Sequence, residues 1–151
     1  MMRRGMIVMA AALSLAPVSS FADDRSTWSA LTTVGLNGTW AISCANAASV
    51  TNWRVTYYRD ADGHVLRSAD RGPGMSSRNM TIDNARAVSP TQVQMRTRHS
   101  DPNWGSENGV SYDLLIEVTN NQARTLQSTK GGATQIFTRS NPGPSLEKCS
   151  N

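Results

Sequence analysis

From Gly38 onward the chain alternates between apolar and polar positions with a period of two, the repeat of a half-buried β-strand. Trp53, Val55 and Tyr57 stand against Arg54, Thr56 and Tyr58, and Val93, Met95 and Thr97 against Gln92, Gln94, Arg96 and Arg98. Tyr112, Leu114, Ile116 and Val118 form one further row, with Leu115 among Ser111, Asp113 and Glu117 on the other side. On this basis eight strands are predicted, over residues 38–45, 53–59, 64–69, 78–82, 92–99, 110–118, 123–129 and 134–139. The separators carry turn chemistry, among them Asp60-Ala61-Asp62-Gly63, Arg71-Gly72-Pro73-Gly74, Asp83-Asn84, Ser89-Pro90, Asn120-Asn121 and Gly131-Gly132. Gly and Asn supply the positive φ that tight turns require.

Short connections make consecutive strands antiparallel neighbours, with one face apolar and the other wet. Eight strands in a meander close most economically into an up-and-down barrel, because closure removes the unpaired edges of an open sheet. The seam is then expected between residues 38–45 and 134–139, with an open sandwich as the competing arrangement. Upstream, Trp28, Leu31 and Val34 recur at three-residue spacing behind polar helix-starting residues and stop at Gly35, which predicts a short helix or turn. Downstream, Asn141-Pro142-Gly143-Pro144 breaks pairing after Arg139 and leads to Cys149. The expected fold class is all-β: an eight-stranded antiparallel up-and-down barrel with a short N-terminal helix or turn.

The N-terminus follows another pattern. Arg3 and Arg4 precede an apolar run from Met6 to Val18, and Ser20-Phe21-Ala22 places small residues where a signal peptidase reads, so residues 1–22 are predicted to be a cleaved export signal. The run, about 13 residues, is shorter than the roughly 20 needed for a membrane span, and no later segment approaches that length. Residues 23–37 are then an N-terminal segment and residues 38–151 the barrel domain of a periplasmic or secreted protein. Losing Arg3 and Arg4 lowers the net charge from +4 to +2. That is too little for the basic stripe with interleaved aromatics that binds nucleic acid. Cys44 and Cys149, the two cysteines, have no neighbouring His or CxxC partner, and export places them where disulfides persist. They are predicted to pair, tying the first strand to the C-terminal end.

Enzyme chemistry finds no constellation. His64, at a hairpin exit, and His99, beside Ser100-Asp101, read as solvent-exposed turn residues and not as members of a nucleophilic triad. Asp60-Ala61-Asp62-Gly63 lacks the later ligands of a calcium loop and reads as a hairpin turn. Asp113 and Glu117 share an outward strand face roughly 13 Å apart, wider than the carboxylate spacing of glycosidases. A non-enzymatic role with no metal and no cofactor is expected.

Leu36-Asn37-Gly38-Thr39-Trp40, a Gly-x-Trp at the start of the first strand followed by seven short strands, resembles the small lipocalin-like or calycin barrels. The resemblance implies that Trp40 packs across one barrel end, that Gly38 belongs to the same structural motif, and that Arg139 lies over Trp40 in a cation–π contact. It also implies either a small apolar ligand in the lumen or, as in the periplasmic inhibitors of secreted metalloproteases, an exported protein partner. For the first, the inward residues Trp53, Tyr57, Met95 and Tyr112 are the candidate ligand contacts. For the second, the loop 101–109 and the segment 23–34 are. The bulk of the inward side chains favours a filled interior over a hollow one.

Overall fold

The computed structural model describes residues 23–150, so the export signal expected over residues 1–22 lies outside the described residues. Helix α1 (Asp24–Thr33) starts where the Asp23 carboxylate accepts the Ser26 N–H at 2.7 Å. It stops at Gly35, whose φ of 76° lets the Leu36 N–H return to the Leu31 carbonyl at 2.9 Å. Thr27, Ala30 and Leu31 form the buried stripe of α1, and the helix lies against the third and fourth strands.

Nine strands follow: β1 (Gly38–Ala41), β2 (Arg54–Arg59), β3 (Val65–Asp70), β4 (Arg78–Ser89), β5 (Gln92–His99), β6 (Ser111–Thr119), β7 (Gln122–Lys130), β8 (Ala133–Ile136) and β9 (Ser145–Ser150). β1 to β7 form the predicted antiparallel meander, and eight strands close the barrel. The closing strand differs from the expectation. β9 pairs with β1 on one side and with the first part of β7 on the other, through Gln122–Glu147, Ala123–Leu146 and Arg124–Ser145. β8 pairs only with the far part of β7, Gln127 to Lys130, and its four residues are exposed. The predicted seam at residues 134–139 is therefore replaced by one at Ser145–Ser150: the Asn141-Pro142-Gly143-Pro144 break redirects the chain instead of ending the sheet.

A second difference lies in β4. The Asp83-Asn84 pair, read as a turn, is a bulge that shifts the β4–β5 register between Ile82 and Asn84 while the strand runs on to Ser89. On the outer face, cross-strand pairs match charge. Arg96 grips Asp113 through two contacts of 2.8 Å, Arg98 reaches Asp83 at 2.9 Å, and Arg124 reaches Glu117 at 2.9 Å.

Inside, α1 covers one end of the barrel. There Leu31, Leu36, Trp40 and Val93 are fully buried, and the Trp40 indole donates to the Leu36 carbonyl at 2.8 Å. Truncating a core indole costs about 3–5 kcal/mol, so this plug anchors the fold. The cation over the Trp40 ring is Lys148, at 5.4 Å, with its ammonium donating to the Gly35 carbonyl at 3.0 Å. Arg139, expected in that role, is exposed in the connection between β8 and β9, because the strand that reaches Trp40 is β9. Cys44 and Cys149 are joined, with Cα atoms 5.3 Å apart and a sequence separation of 105. No helix among the described residues is long and apolar enough to cross a membrane.

Candidate ligand-binding cavity

The end of the barrel opposite α1 is hollow. β7 shares its outer edge between β9 and β8, and β1 stops at Ala41, so no strand among the described residues pairs with the other side of β8. The wall stays open between β8 and the loop from Ile42 to Trp53. Behind the opening lies a cavity of about 630 Å³. Val55, Tyr57, Leu114, Ile116 and Ala123 make its inner wall, and Trp53, Phe137 and Leu146 its flanks. The filled interior expected from side-chain bulk is thus corrected: bulk fills the α1 end, and the divergence of β8 from β9 empties the other.

The rim is built by one buried amide. Asn52 accepts the Ser43 N–H at 2.8 Å and donates to the carbonyls of Ser43, Asn46 and Ala47 at 3.0, 3.2 and 3.0 Å. The loop it folds presents Ile42 and Val50, which are 59% and 58% exposed, at the mouth. The Trp53 indole is pinned to the Val50 carbonyl at 2.8 Å, and the guanidinium groups of Arg71 and Arg78 lie 5.4 and 5.6 Å from its ring. Across the mouth, Gly143 makes Phe137 possible. A Cβ there would come 2.2 Å from the Thr125 carbonyl oxygen and 2.8 Å from the Phe137 ring.

Arg67 is the one charged residue among the described residues that line the cavity. Its position follows from register: it stands opposite Tyr57 on β2 and Met80 on β4, with inward-facing Val65 and Ala69 to either side. Its Nη1 meets only the Met80 sulfur, at 3.5 Å, its Nε is buried with no acceptor, and it has no carboxylate partner among the described residues.

Of the four candidate contacts, Trp53 and Tyr57 line the cavity. Met95 does not: it is 1% exposed in the packed core, between Ala85 and Leu114 in register. Tyr112 belongs to another cluster, its hydroxyl donating to Glu107 at 2.9 Å, its ring edge-on to His99 at 5.7 Å and under the Lys130 ammonium at 5.4 Å. Lys130 also meets Glu107 at 2.8 Å, and these hydrogen bonds, Lys130's first, hold the Glu107 carboxyl below its usual range.

His99 is 3% exposed, not a solvated turn residue, because as the last residue of β5 it continues the inward row of Val93, Met95 and Thr97. Burial, and next the nearby Arg78, push its imidazole below its usual range. His64 is the exposed one, and with Asp60 and Asp62 it places three ligand-type atoms within 4.8 Å. Asp60 there accepts the His64 N–H at 2.8 Å and contacts its ring at 3.3 Å, which locks the hairpin turn. Sequence reasoning missed Arg67, Ile42, Val50 and Phe137. Only the Arg in the inward register of Val65 and Ala69 offered a signal.

The closed antiparallel barrel, with its Gly-x-Trp strand start and capping helix, is consistent with a calycin-like fold. No protein-family model, curated protein or solved structure matches the chain.

Proposed function

We propose that this protein is an exported, non-enzymatic, lipocalin-like carrier that holds one small apolar ligand in the open half of its barrel. The observation that carries the reading is the cavity, whose 630 Å³ falls within the roughly 300–1,000 Å³ of small-molecule sites. Its wall is largely aliphatic and aromatic, and its mouth is bordered by the exposed Ile42 and Val50. Export to the periplasm or beyond is supported by the signal-like residues 1–22 and by a disulfide that suits an oxidising compartment.

The second reading is a protein-binding module such as a periplasmic protease inhibitor. It draws on the same exposed Ile42 and Val50 as a docking rim. The segment it would insert into a partner is instead folded as α1 with Leu31 fully buried, which favours the carrier.

The deciding experiment titrates the oxidised mature protein with diphenylhexatriene, a neutral apolar fluorophore. The carrier reading expects saturable one-to-one binding that Ile116→Trp abolishes by filling the cavity, with the fold checked by circular dichroism. Absence of saturable binding, or binding that Ile116→Trp leaves intact, removes the carrier reading and leaves the protein-binding one.

A further inference from the structure

We infer that the ligand is not wholly apolar but carries one negative charge, a carboxylate that pairs with Arg67 deep in the cavity while its apolar part extends toward Ile42 and Val50. This rests on the carrier reading and narrows it to a class, the amphipathic monocarboxylates.

The argument starts from what a guanidinium requires. It stays charged at any physiological pH and presents a planar fork of donors. Placing it in an apolar wall without a partner is costly, which is why buried charges are ordinarily paired. Arg67 is half-buried, and its Nε, the part sealed from solvent, has no hydrogen-bond partner among the described residues. Tyr57 and Met80 are its neighbours across the sheet, Val65 and Ala69 along the strand, and its one hydrogen-bond contact is a thioether, a weak acceptor. Elsewhere on this sheet Arg96, Arg98 and Arg124 each hold a carboxylate on the outer face, and Arg54, Arg59 and Arg86 donate to carbonyl or side-chain amide oxygens. Arg67 is on the inner face, where among the described residues no carboxylate lines the cavity.

A carboxylate arriving in the cavity supplies what is missing. Its two oxygens match the fork in a bidentate pair, shielded from water by the surrounding apolar wall. One guanidinium balances one charge, which suits a monocarboxylate better than a dianionic phosphate. Depth sets the orientation. Arg67 lies three residues inside Asp70, where β3 reaches the open end, or roughly 10 Å along the strand. The head group therefore sits below the mouth, and the tail meets Leu114, Phe137 and the exposed rim.

The test compares decanoate with decanol, which share a chain and differ in the head group, by isothermal titration of the oxidised mature protein at neutral pH. Decanoate is expected to bind wild type at least about tenfold more tightly than decanol. In Arg67→Met, which keeps the length and removes the charge, the preference disappears because decanoate weakens while decanol stays within about threefold of wild type. Arg67→Lys, with charge but no fork, falls between the two. Circular dichroism confirms that each variant is folded; should Arg67→Met not fold, the wild-type comparison and Arg67→Lys decide the matter. Equal binding of both ligands by wild type, or a preference that survives in Arg67→Met, overturns the carboxylate inference and leaves the carrier reading intact. Binding of neither ligand, together with failure to bind diphenylhexatriene, removes both.

Discussion

Replacing both cysteines, as Cys44→Ser with Cys149→Ser, removes a bridge across a sequence separation of 105, nearly the whole barrel. In the chain-entropy account, closing a loop of that length disfavours the unfolded chain by about 4.7 kcal/mol. A domain of this size is stable by roughly 5–15 kcal/mol, so the bridge supplies a large fraction of the margin. The native side of the balance changes less. β9 keeps its ladders to β1 and β7, Leu146 keeps its place beside the core, and Lys148 keeps its seat over Trp40. The expected loss is therefore about 3–5 kcal/mol, which lowers the melting temperature by roughly 10–20 °C. Thermal and urea unfolding followed by circular dichroism measure it, and the urea m-value should rise as the unlinked denatured chain expands. Hydrogen exchange should show the amides of β9 losing protection before those of β5 and β6. A melting temperature within roughly 3 °C of wild type would refute the reasoning, because it would mean that the ladders of β9 alone fix the end of the chain.

Asn52→Ala removes four hydrogen bonds from the rim loop and should cost about 2–3 kcal/mol in urea unfolding; a loss under about 0.5 kcal/mol would show that water replaces the amide without penalty. Gly143→Ala forces the Thr125 backbone or the Phe137 ring to move and should cost about 1–3 kcal/mol and weaken diphenylhexatriene binding; unchanged binding would mean that Phe137 does not shape the mouth. His99 should make stability fall as pH drops below its ordinary value of 6.5, because the unfolded imidazole takes a proton that the folded one, with its lowered pKa, resists. The fall levels off once pH passes the folded pKa, and His99→Phe should flatten that part of the profile, a point that melting temperatures across pH 5 to 8 would check.

How much of this was legible in the sequence depended on whether local pattern or long-range pairing decides each feature. β2 and β5 alternate cleanly, and Val55, Tyr57, Val93, Met95 and Thr97 are buried as expected. β9 was not legible. Ser145-Leu146-Glu147-Lys148-Cys149-Ser150 is polar, follows two prolines, and becomes a strand because the edges of β1 and β7 are left for it to pair with. That choice carried Lys148 to Trp40 in place of Arg139. The cavity was illegible for a related reason. The residues that line it were mostly recognisable as inward, but whether inward residues touch or stand apart depends on where β8 leaves the wall. His99 and Arg67 show the limit on single residues: its place at the end of the β5 inward row buried the first, and the register of β3 alone turned the second inward.

The use of β9 as the closing strand also sets an order of events. β9 follows every other barrel strand in the chain, so β1 through β8 can be made and paired while β1 and β7 still present open edges. Such an intermediate is a curved ribbon with a strand-sized vacancy, able to accept any extended segment that matches it. Its own β9 competes best because it is tethered, and oxidation of Cys44 with Cys149 then makes the choice hard to reverse. Fixing the closed barrel is thus tied to the oxidation of these two thiols. Short extended peptides resembling Ser145–Ser150 should act as decoys during refolding under reducing conditions, when the vacancy is open, and not afterwards.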